Sequence, residues 1–587
     1  MGSPDTSNRT LLNRLVSSLK AWRYGLVLFV FGAAFLGVIA RLISLQVVDP
    51  EFLRNQGDAR TVRIETIDAH RGMIVDRNGE PLAVSTPVET LWANPSLVDV
   101  QHPEFGRMAA LLGMDVRDLR ARIESNRSRE FLYLKRKAQP ALATQIKALR
   151  IPGIDSRREY RRYYPAGEVA AHVVGFTNID EAGQEGMELA FDHWLTGVPG
   201  RKRVLKDRNN RMIKDLSLIQ DAAPGKEVRL SIDLRLQYLA YRELKAAVTA
   251  HRARGGTLVM LDVDTGEVLA MVNQPSYNPN NRSTREPSSM RNRAITDLFE
   301  PGSTVKPLTV ALALESGRYT ATTEIDTSPG YIRVGGFTIR DHRNYGILDL
   351  TGIIAKSSNV GTSRIALDLS GERVQEMFSR LGFGQSTGIG FPGEAIGVLP
   401  ARVKWRPAEV AALSYGYGMS VNALQLTQAY MALANGGVRY PSTLLRQDTQ
   451  PVGERVMSEP VALSVQNMLR AVVEEGTGKR AQLGIYQSAG KTGTVHLVGA
   501  NGYEASQYKS IFAGLAPADR PRVACVVIVD APQGNQYFGG EVAAPIFSRV
   551  VGDALRLLNV RPAKNVRTVD MPVAGSQAQW LAGGPKQ

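Results

Sequence analysis

Ser303-Thr304-Val305-Lys306 decides how the rest of the chain is read. A serine with a lysine three residues on is followed, in order, by Ser357-Ser358-Asn359 and by Lys491-Thr492-Gly493-Thr494. Each motif alone is weak, because S-x-x-K arises by chance in most long chains. Together, in this order and within one domain-sized stretch, they are the three parts of a serine acyl-transfer site.

Pro301 and Gly302 punctuate the chain just before Ser303, and Val305, Leu308, Val310, Leu312 and Leu314 then line a buried helix that Gly317 caps. Ser303 is therefore expected in the first turn of a helix, where the N-terminal field favours developing negative charge. Lys306 lies one turn on, so its amine faces the same side as the Ser303 hydroxyl. A serine needs an adjacent base to become a nucleophile. A lysine serves if burial and a neighbouring cation, here Lys491, lower its pKa. Read singly, Ser303 is only a helix cap and Lys306 only a surface lysine. Ser357 can relay a proton to the leaving amine and Asn359 can hydrogen-bond a substrate amide, although a turn capping the next helix reads the same way. Lys491 opens a strand, and Gly493 lets a substrate backbone lie close to the strand edge. Lys491 and the Thr494 hydroxyl are expected to hold a carboxylate, beside Thr492. The backbone N–H groups of Ser303 and Thr494 are expected to form an oxyanion hole, each donor being worth about 3 kcal/mol.

The strand pattern around these motifs gives the fold class. Residues 256–261 and 268–272 form a hairpin about Asp264-Thr265-Gly266, and three further strand-like runs cover 491–498, 508–515 and 522–529. Residues 295–480 between them read as mainly helical. The expectation is an α+β domain with a five-stranded antiparallel sheet flanked by helices. Ser231-Ile232-Asp233 opens a helix carrying Leu234, Tyr238, Leu239 and Leu244 on one period. Ala222 to Lys226 marks a boundary. Before it, residues 60–225 alternate short β-branched runs with turns, as in Arg71-Gly72-Met73-Ile74-Val75-Asp76-Arg77-Asn78-Gly79. Arg157 to Tyr164 reads as a solvated strand face, and Glu185 to Trp194 as one helix.

Tyr24 to Ala40 carries no charge, and the apolar character continues past Arg41 to Val48. Such a stretch spans a bilayer, with Arg41 snorkelling from its end. Arg9, Arg14, Lys20 and Arg23 precede it against one acid, Asp5, which puts the N-terminus in the cytoplasm. A signal peptide cleaved after Ala40 is the alternative. Met1 to Thr6 formally matches an N-myristoylation pattern, which the adjacent span makes redundant. The domains read as a basic cytoplasmic leader (1–23), a transmembrane anchor (24–48), a β-rich pedestal (49–225), a catalytic domain (226–561) and a disordered polar tail (562–587).

The net charge of +15 suits a protein beside anionic membrane or polymer, and no finger, helix-turn-helix or lysine tract supports nucleic-acid binding. The one cysteine, Cys525, lies in an apolar β-branched run and reads as a buried strand residue. Neither a metal site nor a cofactor is expected. Gly490-Lys491-Thr492 is similar to a P-loop, but Gly484 stands one residue too far and a strand follows, not a helix. His496 reads as a strand surface residue at the cleft rim.

These residues, with Tyr164-Pro165-Ala166-Gly167, Glu300-Pro301-Gly302 and Tyr415-Gly416-Tyr417-Gly418, resemble the class B penicillin-binding proteins, most closely the septal, FtsI-type transpeptidases. The resemblance runs from the span to about residue 560. It implies a membrane-anchored, non-catalytic pedestal followed by a β-lactamase-like serine transpeptidase domain in the periplasm. It implies D,D-transpeptidation, in which Ser303 attacks the D-Ala-D-Ala bond of a peptidoglycan stem and passes the acyl group to an amine on a neighbouring stem. β-Lactams then act as donor mimics. A septal glycan polymerase and other divisome membrane proteins are the implied partners. An aromatic wall near the acyl group is also implied, with Tyr503, Tyr537 and Phe538 as candidates. The chain departs from the family after KTGT, where Val495, His496 and Leu497 replace Ala and a basic residue. Rival readings are a serine β-lactamase, an elongation-type transpeptidase, a non-catalytic divisome scaffold and a β-lactam sensor. A sensor calls for a cytoplasmic domain, and about 23 residues before the span are too few for one.

Overall fold

The computed structural model describes residues 7–48, 62–206, 212–283, 286–499 and 502–562. The tail read at 562–587 lies, after Pro562, outside the described residues, as do the first six residues with their acylation pattern. Packing divides the chain into two compact units, one drawn from residues 1–69, 89–157 and 198–223, the other from 70–88, 158–197 and 224–587. The boundary read at residue 225 is a boundary along the chain, whereas these units interleave three segments each.

In the first unit, a helix over Ser7–Ile43 runs into a π turn at Ser44–Val48. Its stretch Trp22–Gln46 is long and apolar enough to cross a membrane, and Phe29, Phe31 and Phe35 are exposed on it. The same unit holds a three-stranded antiparallel sheet of Val62–Ile67, Gly200–Lys206 and Met212–Gln220. It also holds a small α/β core. Residues 89–93 pair with the strand Leu132–Ala138, and the helices Phe105–Leu112, Val116–Glu124 and Pro140–Ala148 bury Phe105, Met108, Leu119, Ile123 and Ile146. Asp115 caps the second of these helices by accepting from the Arg117 and Asp118 amides.

The second unit is built on a five-stranded antiparallel sheet in the order Val268–Gln274, Gly255–Asp262, Val523–Asp530, Gly502–Ala516, Ala489–Gly499. The inner strands Gly255–Asp262 and Val523–Asp530 are buried along their whole length, which is why they read as mainly apolar runs. Alternate residues feed two cores. Val259, Leu261, Val526 and Ile528 face one, with the helices Lys306–Glu315, Ala423–Ala434 and Glu459–Glu474. Leu258, Met260, Cys525 and Val527 face the other, with Leu234–Ala250 and Gly539–Leu557. Cys525 is a free, buried thiol that burial pushes up in pKa.

Three local expectations are corrected. Asp233 does cap the helix Leu234–Ala250, but its buried stripe runs through Leu236, Leu239, Ala240 and Leu244 and leaves Tyr238 exposed. Residues 186–195 form two short helices, Gly186–Ala190 and Asp192–Leu195, not one. The strand Ile154–Tyr163 is not wholly solvated. Arg162 is buried, and with Arg71 it grips the fully buried Glu188 at 2.6 and 2.7 Å. Asp76 of the Asn-Gly turn accepts the Asn78, Glu80 and Leu234 amides, which ties that turn to the start of the helix Leu234–Ala250.

Candidate active site

The strand Ala489–Gly499 is the edge of the five-stranded sheet, so one side of its backbone is unpaired within that sheet. Against it lies a 3-10 turn, Gly302–Val305, that leads into the helix Lys306–Glu315. Ser303 sits in this turn, as the motif predicts. Two glycines allow the approach. A Cβ at Gly302, whose φ is +55°, would lie 2.3 Å from Val495 Cγ1, and a Cβ at Gly493 would lie 2.9 Å from Thr304 Cγ2. The bare backbone of Gly493 thus admits the serine's own turn, a role the substrate-edge reading did not contain. The turn is held from behind by Tyr430, fully buried, whose hydroxyl donates to the Thr304 carbonyl at 2.8 Å.

Lys306 is fully buried and points at the second motif. Its Nζ donates to the Ser357 carbonyl at 2.6 Å and to Asn359 Oδ1 at 2.7 Å, and lies 3.2 Å from Ser357 Oγ. Lys491 is equally buried. It reaches the same Ser357 Oγ at 3.1 Å and the Thr492 carbonyl at 3.0 Å. Two amines therefore converge on one hydroxyl. Burial, helped by the neighbouring Lys491 cation and opposed by the Asp341 carboxylate, holds Lys306 well below the ordinary lysine pKa. Burial brings Lys491 down to about 7. A neutral Lys306 has two N–H bonds and one lone pair. Ser357 O and Asn359 Oδ1 take both protons, so the lone pair is left for a hydroxyl.

The second motif is held in a strained backbone. Ser357 ends the helix Leu350–Lys356 in the left-handed region at φ 60°, a conformation disfavoured for a residue with a Cβ and concentrated at functional sites. Ser358 then caps the helix Asn359–Leu369 by accepting from Gly361 N. A further anchor, Asp341, belongs to none of the three motifs. Its Oδ1 accepts the Asn359 and Val360 amides at 2.6 and 3.0 Å, and its Oδ2 accepts the Ser358 hydroxyl at 2.6 Å. The adjacent Arg340 carbonyl accepts from Asn359 Nδ2 at 2.9 Å. Residues 340 and 341 thus fix Asn359 by backbone and side chain at once, with the carboxylate at a helix N-terminus.

The remaining candidates divide. Thr494 Oγ1 accepts from Gly539 N at 2.9 Å, which leaves its own proton for a ligand. The Thr492 hydroxyl turns instead to Thr477 Oγ1 at 2.7 Å. Tyr537 and Phe538 adjoin with ring centroids 4.5 Å apart, and Tyr508 stacks on Tyr537 at 4.3 Å. His496 lies 4.6 Å from Tyr508, its cross-strand partner in the hairpin. Tyr503 is not in this stack. Its hydroxyl donates to Glu300 at 2.9 Å, its ring meets Tyr417 at 6.2 Å, and Glu300 also accepts the Gly418 amide. The third ring of the stack is thus Tyr508, which sequence reading did not single out.

Residues 256–552 match the model of the penicillin-binding protein transpeptidase domain, and residues 66–230 match that of the penicillin-binding protein dimerisation domain. The peptidoglycan D,D-transpeptidase FtsI of Escherichia coli K12 is 43% identical over 548 residues, 92% of this chain and 93% of that protein. Among solved structures, penicillin-binding protein 3 of Mycobacterium tuberculosis in complex with aztreonam is 29% identical, with a TM-score of 0.67 over 86% of this chain and 99% of that one. The transpeptidase domain of Burkholderia pseudomallei penicillin-binding protein 3 is 42% identical, with a TM-score of 0.53 over 57% of this chain and 97% of that one. With both domains matched in order and close identity along nearly its whole length, the chain belongs to the class B penicillin-binding proteins, in their FtsI-type branch.

Proposed function

We propose that this chain is the serine D,D-transpeptidase that cross-links peptidoglycan stems at the division septum. The observation that carries the reading is the convergence of two buried lysines on Ser357 Oγ beside the Ser303 turn. Neutral Lys306 accepts the Ser303 proton as Oγ attacks the carbonyl carbon of the D-Ala-D-Ala bond. The Ser303 and Thr494 amides take the oxyanion, and Lys491 and the Thr494 hydroxyl hold the terminal carboxylate. Collapse breaks the C–N bond. The departing D-alanine amine receives its proton through Ser357, leaving an acyl-Ser303. An amine of a neighbouring stem then attacks that ester, gives up its proton along the same path, and Ser303 leaves with its proton restored. Asn359 orients the donor amide, and Tyr508, Tyr537 and Phe538 wall the acyl group.

The span Trp22–Gln46 is the anchor. With Arg9, Arg14, Lys20 and Arg23 before it, the N-terminus is cytoplasmic and the catalytic unit periplasmic. Residues 49–225 act as the pedestal and 226–561 as the transpeptidase domain. A septal glycan polymerase and other divisome membrane proteins are the partners that this placement favours.

The test is labelling of membranes with a fluorescent penicillin, in wild type and Ser303→Ala, followed by a chase with unlabelled drug. A band near 64 kDa that disappears in Ser303→Ala and persists for many minutes is expected. Loss of label within seconds would replace this reading by a β-lactamase, and no label on folded wild type would remove the catalytic reading altogether.

A further inference from the structure

Beyond the lysine pair, two further hydroxyls lead outward. Thr492 Oγ1 lies 3.5 Å from Lys491 Nζ and 2.7 Å from Thr477 Oγ1. Successive residues of a strand face opposite ways. Gly493 faces the serine's turn, so Thr492 faces away from it, towards Thr477. Lys306, Lys491 and Thr492 are buried, whereas Thr477 is exposed. Lys306 Nζ, Ser357 Oγ, Lys491 Nζ, Thr492 Oγ1 and Thr477 Oγ1 thus form one chain of polar contacts, with steps of 3.2, 3.1, 3.5 and 2.7 Å. It runs from the base to the protein surface and leaves behind the edge strand.

Thr477 is fixed at this outlet by what packs around it. The helix Glu459–Glu474 ends just before it, and Gly478 N donates to Val472 O at 3.0 Å to close the turn. A Cβ at Gly476 would lie 2.7 Å from the Ala355 carbonyl oxygen, and one at Gly540 would lie 2.4 Å from that of Thr477. The turn is therefore wedged between the helices Leu350–Lys356 and Gly539–Leu557. The exposed carboxylates of Glu474 and Glu475 stand at the same helix end as its unpaired carbonyls, so the outlet favours positive charge.

Acyl transfer to an amine requires such an outlet. An amine of ordinary pKa arrives as an ammonium. Attack on the acyl-Ser303 ester needs the neutral amine. The proton that the neutral amine loses on attack returns to Ser303. The earlier proton, which made it an ammonium, has to leave the site while the acyl group and the acceptor fill the cleft.

Resting on the transpeptidase reading, we infer that Thr492 and Thr477 carry this proton from the acceptor ammonium to solvent. The ammonium gives a proton to Ser357 Oγ, whose own proton passes to neutral Lys491. Lys491 becomes neutral again by giving a proton to Thr492 Oγ1, whose own proton passes to Thr477 and from there to water. Only N–H and O–H bonds break and form. Each hydroxyl ends with one proton, as a group that both accepts and donates can, and the acceptor ends as a neutral amine. Burial brings Lys491 to about 7, so its charge comes and goes near neutral pH. Acylation needs no such outlet, because the Ser303 proton goes to the leaving nitrogen.

The test follows transfer from a thioester analogue of the donor to two amines, by the full-length protein near neutral pH. D-Alanine is then an ammonium, whereas the fluorines of trifluoro-D-alanine withdraw charge and leave its amine largely neutral. Thr477→Val is expected to slow transfer to D-alanine about tenfold and transfer to the trifluoro amine by less than about twofold. Thr477→Ser keeps the hydroxyl and is expected to bring the D-alanine rate back to within about twofold of wild type. Thr477→Ala repeats the loss without a branched side chain, should the valine disturb the fold, and fluorescent penicillin scores the folded fraction of each variant. Equal slowing of both amines makes Thr477 merely structural and overturns the inference, as does a D-alanine rate that does not change. Failure of the underlying reading is visible separately. Wild type then takes no penicillin label, or passes the acyl group only to water whichever amine is offered, and the inference falls with it.

Discussion

Asp341 gives the sharpest test of how the second motif is held. Its carboxylate accepts three hydrogen bonds, from the Asn359 and Val360 amides and the Ser358 hydroxyl. Asp341→Ala strands all three donors. An unsatisfied buried group costs about 1–3 kcal/mol. Asn359 is only half-buried, so water replaces part of this, and a total of about 3 kcal/mol is reasonable at the lower end of that range. For a domain of this size, at roughly 1–2 °C per kcal/mol, the melting temperature should fall by about 3–6 °C. If half of the lost free energy frees Asn359 and Ser357 to move, acylation falls roughly tenfold, since about 1.4 kcal/mol is a factor of ten. Asp341→Asn separates geometry from charge. Its amide oxygen still accepts the two backbone N–H groups, so most of the fold stability should return. The charge does not return. Asp341 raises the Lys306 pKa against the stronger lowering by burial and Lys491. Removing the carboxylate therefore lowers that pKa further, and the acid limb of the acylation profile should move to lower pH. The assay is stopped-flow acylation by a fluorescent β-lactam from pH 5 to 10, beside thermal melts. Acylation by Asp341→Ala within twofold of wild type, with only the melt affected, would reduce Asp341 to a helix cap. An acid limb that moves to higher pH in Asp341→Asn would refute the electrostatic part.

Lys491 acts on Lys306 in the opposite sense, because its positive charge disfavours a second one. Lys491→Met should acylate slowly, and the acid limb of what remains should move to higher pH, as the pH profile will show. In wild type the profile should be bell-shaped, its two limbs belonging to the coupled pair of lysines and not to either alone. Tyr508→Ala removes the middle ring between His496 and Tyr537, and should slow acylation about tenfold if the stack walls the acyl group, at about 0.5–1.5 kcal/mol per aromatic pair. Tyr503→Phe, which loses only the bond to Glu300, should change the same rate by no more than about fivefold, given the roughly 1 kcal/mol net worth of a typical hydrogen bond. Glu188→Gln leaves Arg71 and Arg162 facing a neutral amide in a fully buried site, and should cost about 3–5 kcal/mol in denaturant titrations while the folded fraction still labels.

What was legible in the sequence was whatever the chain writes locally. The inner strands Gly255–Asp262 and Val523–Asp530 declared themselves because burial on both faces favours mainly apolar residues along them. The three motifs declared themselves because serine, lysine and asparagine at fixed spacing have few other uses together. Asp341 stands 16 residues before Ser357 in a polar stretch, with no period and no motif around it. Only the fold shows that the N-terminus of Asn359–Leu369 takes its acceptor from that loop. The place of Tyr508 in the ring stack was not legible for a related reason. Tyr503 and Tyr508 lie on the same strand, and sequence does not say which of them faces Tyr537. Register does, because His496 pairs with Tyr508 whereas Tyr503 pairs with Val498 near the hairpin tip. The interleaving of residues 70–88 and 158–197 with the catalytic unit is also silent in a linear reading, since turn signals at 222–226 mark where the chain bends and not where it returns.

The chemistry itself sits between these two cases. Spacing places Lys306 one turn from Ser303, yet a lysine at its ordinary pKa would be protonated and useless as a base. What lowers its pKa is complete burial beside a second buried lysine, a property of the assembled site. The same burial would be ruinous for an ammonium with nothing to bond. Here Ser357 O and Asn359 Oδ1 take two N–H bonds, and these are the groups that the strained φ of Ser357 and the clamp of Arg340 and Asp341 hold in place. The strain at Ser357 therefore has a function. It turns a helix end so that one residue presents its carbonyl to Lys306 and its hydroxyl to both lysines, which a relaxed αR ending to Leu350–Lys356 would not do.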